Sequence, residues 1–198
     1  MKPSTLQVGV DVPWVTSWTE EPITGVRPCA SVGGHPALTQ AGNAGFGKPQ
    51  YSKNHLLRQR LTVARMLCPM CGEPTPSHDR WTQVARRTSA GALRRGGRAP
   101  GLSRAIEDDR VVVDAGAIAP LHRQCSDRSL EHCPHLRADP EVNVMAFPAR
   151  WTVMPLMIEA TMPVAAGHAL LRVQTAPSSI AVVTFLQLCG VTDQFETG

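Results

Sequence analysis

Two short pairs of metal-ligating residue types, Cys68-Pro69-Met70-Cys71-Gly72 and His122-Arg123-Gln124-Cys125, constrain this 198-residue chain more than any other feature. A Cys-x-x-Cys turn closed by glycine points two thiolates at one spot, and Gly72 permits the positive φ such a turn needs. The same spacing at a helix start puts an imidazole and a thiolate on one face. Together Cys68, Cys71, His122 and Cys125 make four ligands, the closed tetrahedral set of a structural Zn2+ rather than a hydrolytic one. His132, Cys133 or His135 would replace His122 if the far end of that helix faced the turn. A redox pair is the competing reading of Cys68 and Cys71, but Pro74 and Pro76 follow at once, where thioredoxin-like chemistry needs a long helix.

The rest of the composition fits a chain that needs a metal cross-link. With 16 glycines, 17 prolines and only 5% aromatics, it must build its core from Val, Leu, Ala and Met between many turns. Six cysteines without a secretory-type N-terminus argue for metal ligation or plain burial over disulfides. No apolar run approaches the roughly 18 residues of a membrane span, so a cytoplasmic protein without a membrane partner is expected. The net charge of +4 permits acidic partners without demanding them.

Along the chain, Leu6 to Trp18 alternates like a half-buried strand interrupted by Pro13. Glu20 to Gln50 is so dense in Gly and Pro that it reads as loop. Ser52 or Asn54 is positioned to cap a helix through Leu56, Leu61 and Arg65. Arg80 to Ala85 and Arg110 to Asp114 read as two strands, separated by a polar Arg/Gly-rich loop. Pro120 opens a helix that Pro134 ends. Beyond Asn143, the runs Val144 to Phe147, Trp151 to Ile158, Ala169 to Val173 and Ile180 to Leu188 suggest an antiparallel sheet, although the last could be a buried helix.

The expected architecture is α+β: a treble-clef zinc module with an irregular N-terminal region and a C-terminal antiparallel sheet. Its regions are 1–52, with one strand; 53–140, the zinc module carrying an Arg/Gly-rich insertion at 86–109; and 141–198, the β-rich part packing on the module, in one domain overall. Knuckle, strand pair and ligand-bearing helix follow one another in treble-clef order, and a long insertion between the ligand pairs costs little entropy.

Arg58-Gln59-Arg60, Leu67 to Gly72, Pro120 to Cys125 and His132-Cys133-Pro134-His135-Leu136 together resemble an uncharacterised actinobacterial zinc-binding family. Its pattern runs Cys-x-x-Cys-Gly, Pro-Pro-x-(His or Cys)-x-x-Cys and Cys-Pro-x-Leu. The resemblance covers about residues 56–137 and implies a zinc module with His122 as a ligand, but no activity. Ala119 stands where the pattern has its first proline, and the Arg-rich insertion lies outside the pattern.

Other chemistry is sparser. Arg86, Arg87, Arg94, Arg95, Arg98, Arg104 and Arg110 could neutralise nucleic-acid phosphates, but no aromatic within the Arg86–Arg104 stretch offers a stacking platform, so a solvated insertion is the favoured reading. A His-metal nuclease lacks its hairpin histidine, and neither a phosphate-binding nor a nucleophile-elbow motif occurs. Cys29 is a candidate nucleophile near His35. His35 and His55 are candidate bases in a pocket with Trp14, Trp18 and Tyr51. The leading expectation is a zinc-stabilised recognition protein for a macromolecular or peptide partner. The alternative is a small-molecule enzyme with its pocket near the N-terminal Gly-rich loop, for which the resemblance implies a setting in actinobacterial specialised metabolism.

Overall fold

The computed structural model describes residues 2–99, 101–161 and 179–196. Its strands are β1 (Thr16–Trp18), β2 (Ile23–Pro28), β3 (Pro36–Gln40), β4 (Pro49–Asn54), β5 (Trp81–Thr82), β6 (Arg86–Ser89), β7 (Arg110–Gly116), β8 (Met145–Ala146), β9 (Arg150–Thr161) and β10 (Ser179–Phe195). Its helices are α1 (Leu56–Arg65), α2 (Ala90–Arg95), α3 (Arg123–His132) and α4 (Pro134–Ala138), with a 3-10 turn at Ala30–Val32. The protein is mixed α+β, mostly sheet with few helices.

One long strand organises the sheet. β9 runs antiparallel along one edge of β10, from Ser179↔Thr161 to Val191↔Arg150. The other edge is shared: β7 pairs antiparallel from Leu188 onward, and β3 meets β10 in parallel at Val183↔Ala37. β2 extends the sheet beyond β3, and β6 beyond β7. The expected C-terminal antiparallel sheet is therefore a mixed sheet that recruits strands from the whole chain. Ile180 to Leu188 is strand, not helix, because its residues alternate between two covered faces.

Those two faces carry separate cores. On one, Val63 and Met66 pack with Val113, Ala115, Phe147, Leu186 and Leu188. On the other, Ala90, Leu93, Ala99 and Leu102 pack with Val112, Met154 and Cys189. The switch from Val112 to Val113 across the sheet is the period-2 alternation of a strand buried on both sides.

α1 is tied to the sheet by polar side chains as well as apolar ones. Gln59, fully buried, donates to the carbonyls of Leu186 at 2.7 Å and Ala117 at 2.8 Å, while its Oε1 accepts from Leu186 N. Arg58 donates twice to buried Glu21, at 2.8 and 2.7 Å, and to the Thr16 carbonyl. The helix ends at Met66, whose left-handed φ of 51° turns the chain toward Cys68. Thr75 holds that turn by donating its N–H and its hydroxyl to the Met66 carbonyl, both at 2.8 Å.

Several sequence expectations are corrected. Only Thr16–Trp18 of the Leu6 to Trp18 stretch is strand, because the Gln7 carbonyl collects the amides of Val10, Asp11 and Val12 into a turn. The Glu20 to Gln50 loop contains the β2–β3 hairpin and the start of β4, so the N-terminal region is less irregular than expected; the prolines sit at strand ends. The helix cap is His55, not Ser52 or Asn54. Of Arg80 to Ala85 only Trp81–Thr82 is strand, and it pairs with β8 instead of Arg110 to Asp114. The strand that does pair with β7 is β6, from within the Arg-rich stretch. That stretch also folds as α2, with Leu93, Ala99 and Leu102 buried. α1, β7, α3 and β9 lie where the sequence put them. Ala169 to Val173 lies outside the described residues.

Candidate metal centre

The Cys68–Cys71 turn is a small hairpin of its own. Cys68 N donates to the Glu73 carbonyl at 2.7 Å, Gly72 N donates to the Cys68 carbonyl at 2.8 Å, and Leu67 bridges Pro74. Gly72 has φ +84°, and a Cβ there would sit 2.8 Å from the Trp14 ring, so glycine is required twice over. The N-terminal segment clamps the turn from outside: Trp14 N and Val15 N donate to the carbonyls of Met70 and Pro69 at 2.8 and 3.0 Å.

The second ligand pair is positioned by α3. Leu121 and Trp81 exchange two backbone hydrogen bonds of 2.8 and 2.9 Å, which fixes where the helix begins. Asp79 accepts from Arg123 N at 2.7 Å and so caps the first turn, leaving the His122 side chain free of that duty. Buried Gln83 then grips the helix through the Ser126 carbonyl and the hydroxyls of Ser126 and Ser129.

The result is convergence. One ligand atom from each of Cys68, Cys71, His122 and Cys125 lies within 4.8 Å of all the others. His122 Nδ1 is 3.5 Å from Cys71 Sγ and 3.9 Å from Cys125 Sγ. Its Nε2 stands 3.1 Å from the Pro74 carbonyl, the outer partner that orients a ligating imidazole. Cys68 and Cys125 are buried, whereas Cys71 and His122 are half-buried.

The electrostatics point the same way. Burial raises the Cys68 thiol pKa even though the amides of Cys71, His122 and Met70 donate to its sulfur. Burial, then the adjoining Cys68 and Cys71 thiolates, push Cys125 up to about 12. Several thiolates crowded together are unfavourable alone, and a cation at their centre reverses the balance. The Cys3His cluster can hold a metal ion.

The alternative ligands do not join the cluster. His132, Cys133 and His135 lie at or past the far end of α3, with Cys133 about 12 Å further along the axis than Cys125 at 1.5 Å per residue. The candidate bases are likewise separate. His35 is exposed in the β2–β3 turn, whereas His55 is buried as the α1 cap, accepting from Arg58 N with Nδ1 and bonding the Ala41 carbonyl with Nε2. The main chains of Cys29 and His35 do meet, through Cys29 N donating to the His35 carbonyl at 3.1 Å. Of the aromatic group, Trp18 is buried in the core and Tyr51 is exposed.

Sequence reasoning missed the supporting residues Asp79, Trp14 and Gln83. No local signal marks them, since each acts on an element distant in the chain. Outside the ligands, an open cleft of about 720 Å³ runs past Cys71, His122, Glu73, Asp127 and Glu131. Compared with family models, curated proteins and solved structures, the chain shows no significant match to any.

Proposed function

We propose that the Cys68, Cys71, His122 and Cys125 cluster binds one structural Zn2+ and that the scaffold it braces recognises a macromolecular or peptide partner. The observation that carries this is the closeness of the four ligand atoms. Tetrahedral zinc with Zn–S of 2.3 Å and Zn–N near 2.05 Å sets sulfur and nitrogen about 3.6 Å apart, against the 3.5 and 3.9 Å found. Three thiolates and an imidazole suit zinc by ligand softness, and four protein ligands leave water no position.

The module is treble-clef-like in this reading. The knuckle is followed by the β6–β7 antiparallel pair and then by α3 with its ligands at the first turn. The resemblance to an actinobacterial family belongs to the same proposal and rests on the motif pattern alone. So does a cytoplasmic setting; among the described residues no helix is long and apolar enough to cross a membrane.

The cleft beside the metal is the natural place for the partner, because its walls are α3 and the knuckle, which the metal would fix relative to each other. Nucleic acid is not favoured. Arg86, Arg94 and Arg110 are already paired with Glu141, Asp108 and, at 3.3 Å, Glu107, so part of the Arg-rich charge is answered within the chain.

Elemental analysis of the purified protein tests the first half: one zinc per chain is expected, with a thiolate-to-cobalt charge-transfer band on Co2+ substitution. Less than stoichiometric metal in folded protein sinks it. For the second half, in-cell crosslinking from a probe at Gln124 should capture a discrete partner that Glu131→Lys loses with zinc content unchanged. Capture indifferent to that change would place recognition elsewhere.

A further inference from the structure

An open cleft of about 530 Å³ is bordered by β1, β4 and the first residue of α1, and it shares no residue with the Cys3His cluster. Ser17, Trp18 and Glu21, all buried, form its inner side. Gln40 locks them in place: its Nε2 donates to the Ser17 hydroxyl at 2.6 Å and to the Glu21 carbonyl at 2.7 Å, and its Oε1 accepts from Leu56 N at 3.0 Å. The Glu21 carboxylate accepts from Trp18 N at 2.8 Å and from both terminal nitrogens of Arg58, so its charge is already met.

Trp18 supplies the observation that points to a ligand. It is 1% exposed and lines the cleft, yet among the described residues nothing accepts from its Nε1–H. An indole can only donate, so what is missing is an acceptor, and a buried donor without one is costly. Lys53, exposed where it lines the cleft, has no carboxylate partner among the described residues. Pro22, Ile23, Leu56 and Phe185 contribute an apolar lining, and at this volume the cleft lies in the range of small-molecule sites.

We propose that this cleft binds a small organic acid, whose carboxylate accepts from Trp18 Nε1–H and pairs with Lys53 while its apolar body lies against Pro22, Ile23 and Phe185. A carboxylate meets the unpartnered donor and the unpaired cation together, whereas a neutral carbonyl meets only the first. One cation beside an apolar lining also suits a monoanion with a hydrocarbon body better than a phosphate, whose greater charge and additional oxygens call for more donors. Because Gln40 and Arg58 already hold the inner side in place, little further ordering is needed on binding. The site stands whether or not the cluster holds zinc.

The test titrates the isotope-labelled protein, as purified, with benzoate and hexanoate, and with benzamide and hexanamide as their uncharged matches. The readout is the Trp18 indole N–H resonance, separated from those of Trp14, Trp81 and Trp151 by through-bond assignment. Both acids should move it downfield and saturate with a Kd of about 1 mM or tighter. The amides should bind about tenfold more weakly or worse, because a charge-assisted hydrogen bond is lost. Lys53→Met, at an exposed position that the fold tolerates, should bring the acids down to the level of the amides and leave the amides unchanged. Ile23→Asp, at a side chain 62% exposed, should weaken the acids through like charge. Equal binding of acids and amides, or acid binding indifferent to both variants, overturns the carboxylate assignment. No saturable movement of the Trp18 resonance with any of these probes overturns the site itself.

Discussion

His122 Nε2 lies 3.1 Å from the Pro74 carbonyl oxygen, so the knuckle that carries two ligands also orients the third. With Nε2 donating there, Nδ1 keeps its lone pair for the metal, and the imidazole cannot swing away without breaking a bond to the turn it completes. His122→Cys should retain stoichiometric zinc, because the position needs only a soft donor of short reach. His122→Ala, which removes a ligand itself, should lower zinc affinity by more than the roughly hundredfold lost with an outer-shell partner, read by competition with a chromophoric chelator.

Metal removal should act locally. The main sheet and its two cores draw none of their strands from the ligand turn itself. Chelation is expected to speed amide hydrogen exchange across residues 67–75 and the first turns of α3 while β7 and β10 stay protected. Uniform loss of protection would show that the metal supports the whole fold.

Gly72→Ala combines a left-handed φ with a collision against Trp14. A cost of more than about 1 kcal/mol in denaturant unfolding is expected, accompanied by weaker zinc binding. A near-neutral result would mean that Trp14 does not sit on the knuckle.

Removing one member of the buried Glu21–Arg58 pair should be severe. Arg58→Met leaves the Glu21 carboxylate without its guanidinium, at a cost of about 3–5 kcal/mol by equilibrium unfolding. The double variant Glu21→Gln with Arg58→Met should recover much of that loss.

Stability should also fall on mild acidification. Burial holds the His55 pKa below its ordinary value of 6.5. Between the depressed folded value and 6.5, the unfolded chain binds a proton that the folded chain refuses, so stability is complete above pH 6.5 and declines below it. Melting temperatures from pH 7.5 to 5 check this. His55→Asn, which keeps a capping side chain, should flatten the slope.

The ligand pairs, α1 and α3 were legible because each is a local pattern: a spacing, a capped amphipathic run, a proline stop. The polar core was not. Gln59 and Arg60 carry no local apolar signal, yet they are buried because their partners are main-chain atoms of Leu38, Thr184 and Leu186, far away in the chain. β2 and β3 escaped notice because five of the six β2 residues are exposed, leaving no apolar alternation to read. In residues 86–109 the apolar residues are few and scattered among arginines, so only the sheet face they cover reveals them as core.

The place of β10 within the main sheet has a consequence for biosynthesis. The strand that joins β3, β7 and β9 is the last to be made, so a chain emerging from the ribosome carries partnerless sheet edges until residues 179–195 arrive. The clustered cysteines and histidine precede it by more than fifty residues, so a metal ion bound there would shelter the middle of the nascent polypeptide before its sheet is able to close.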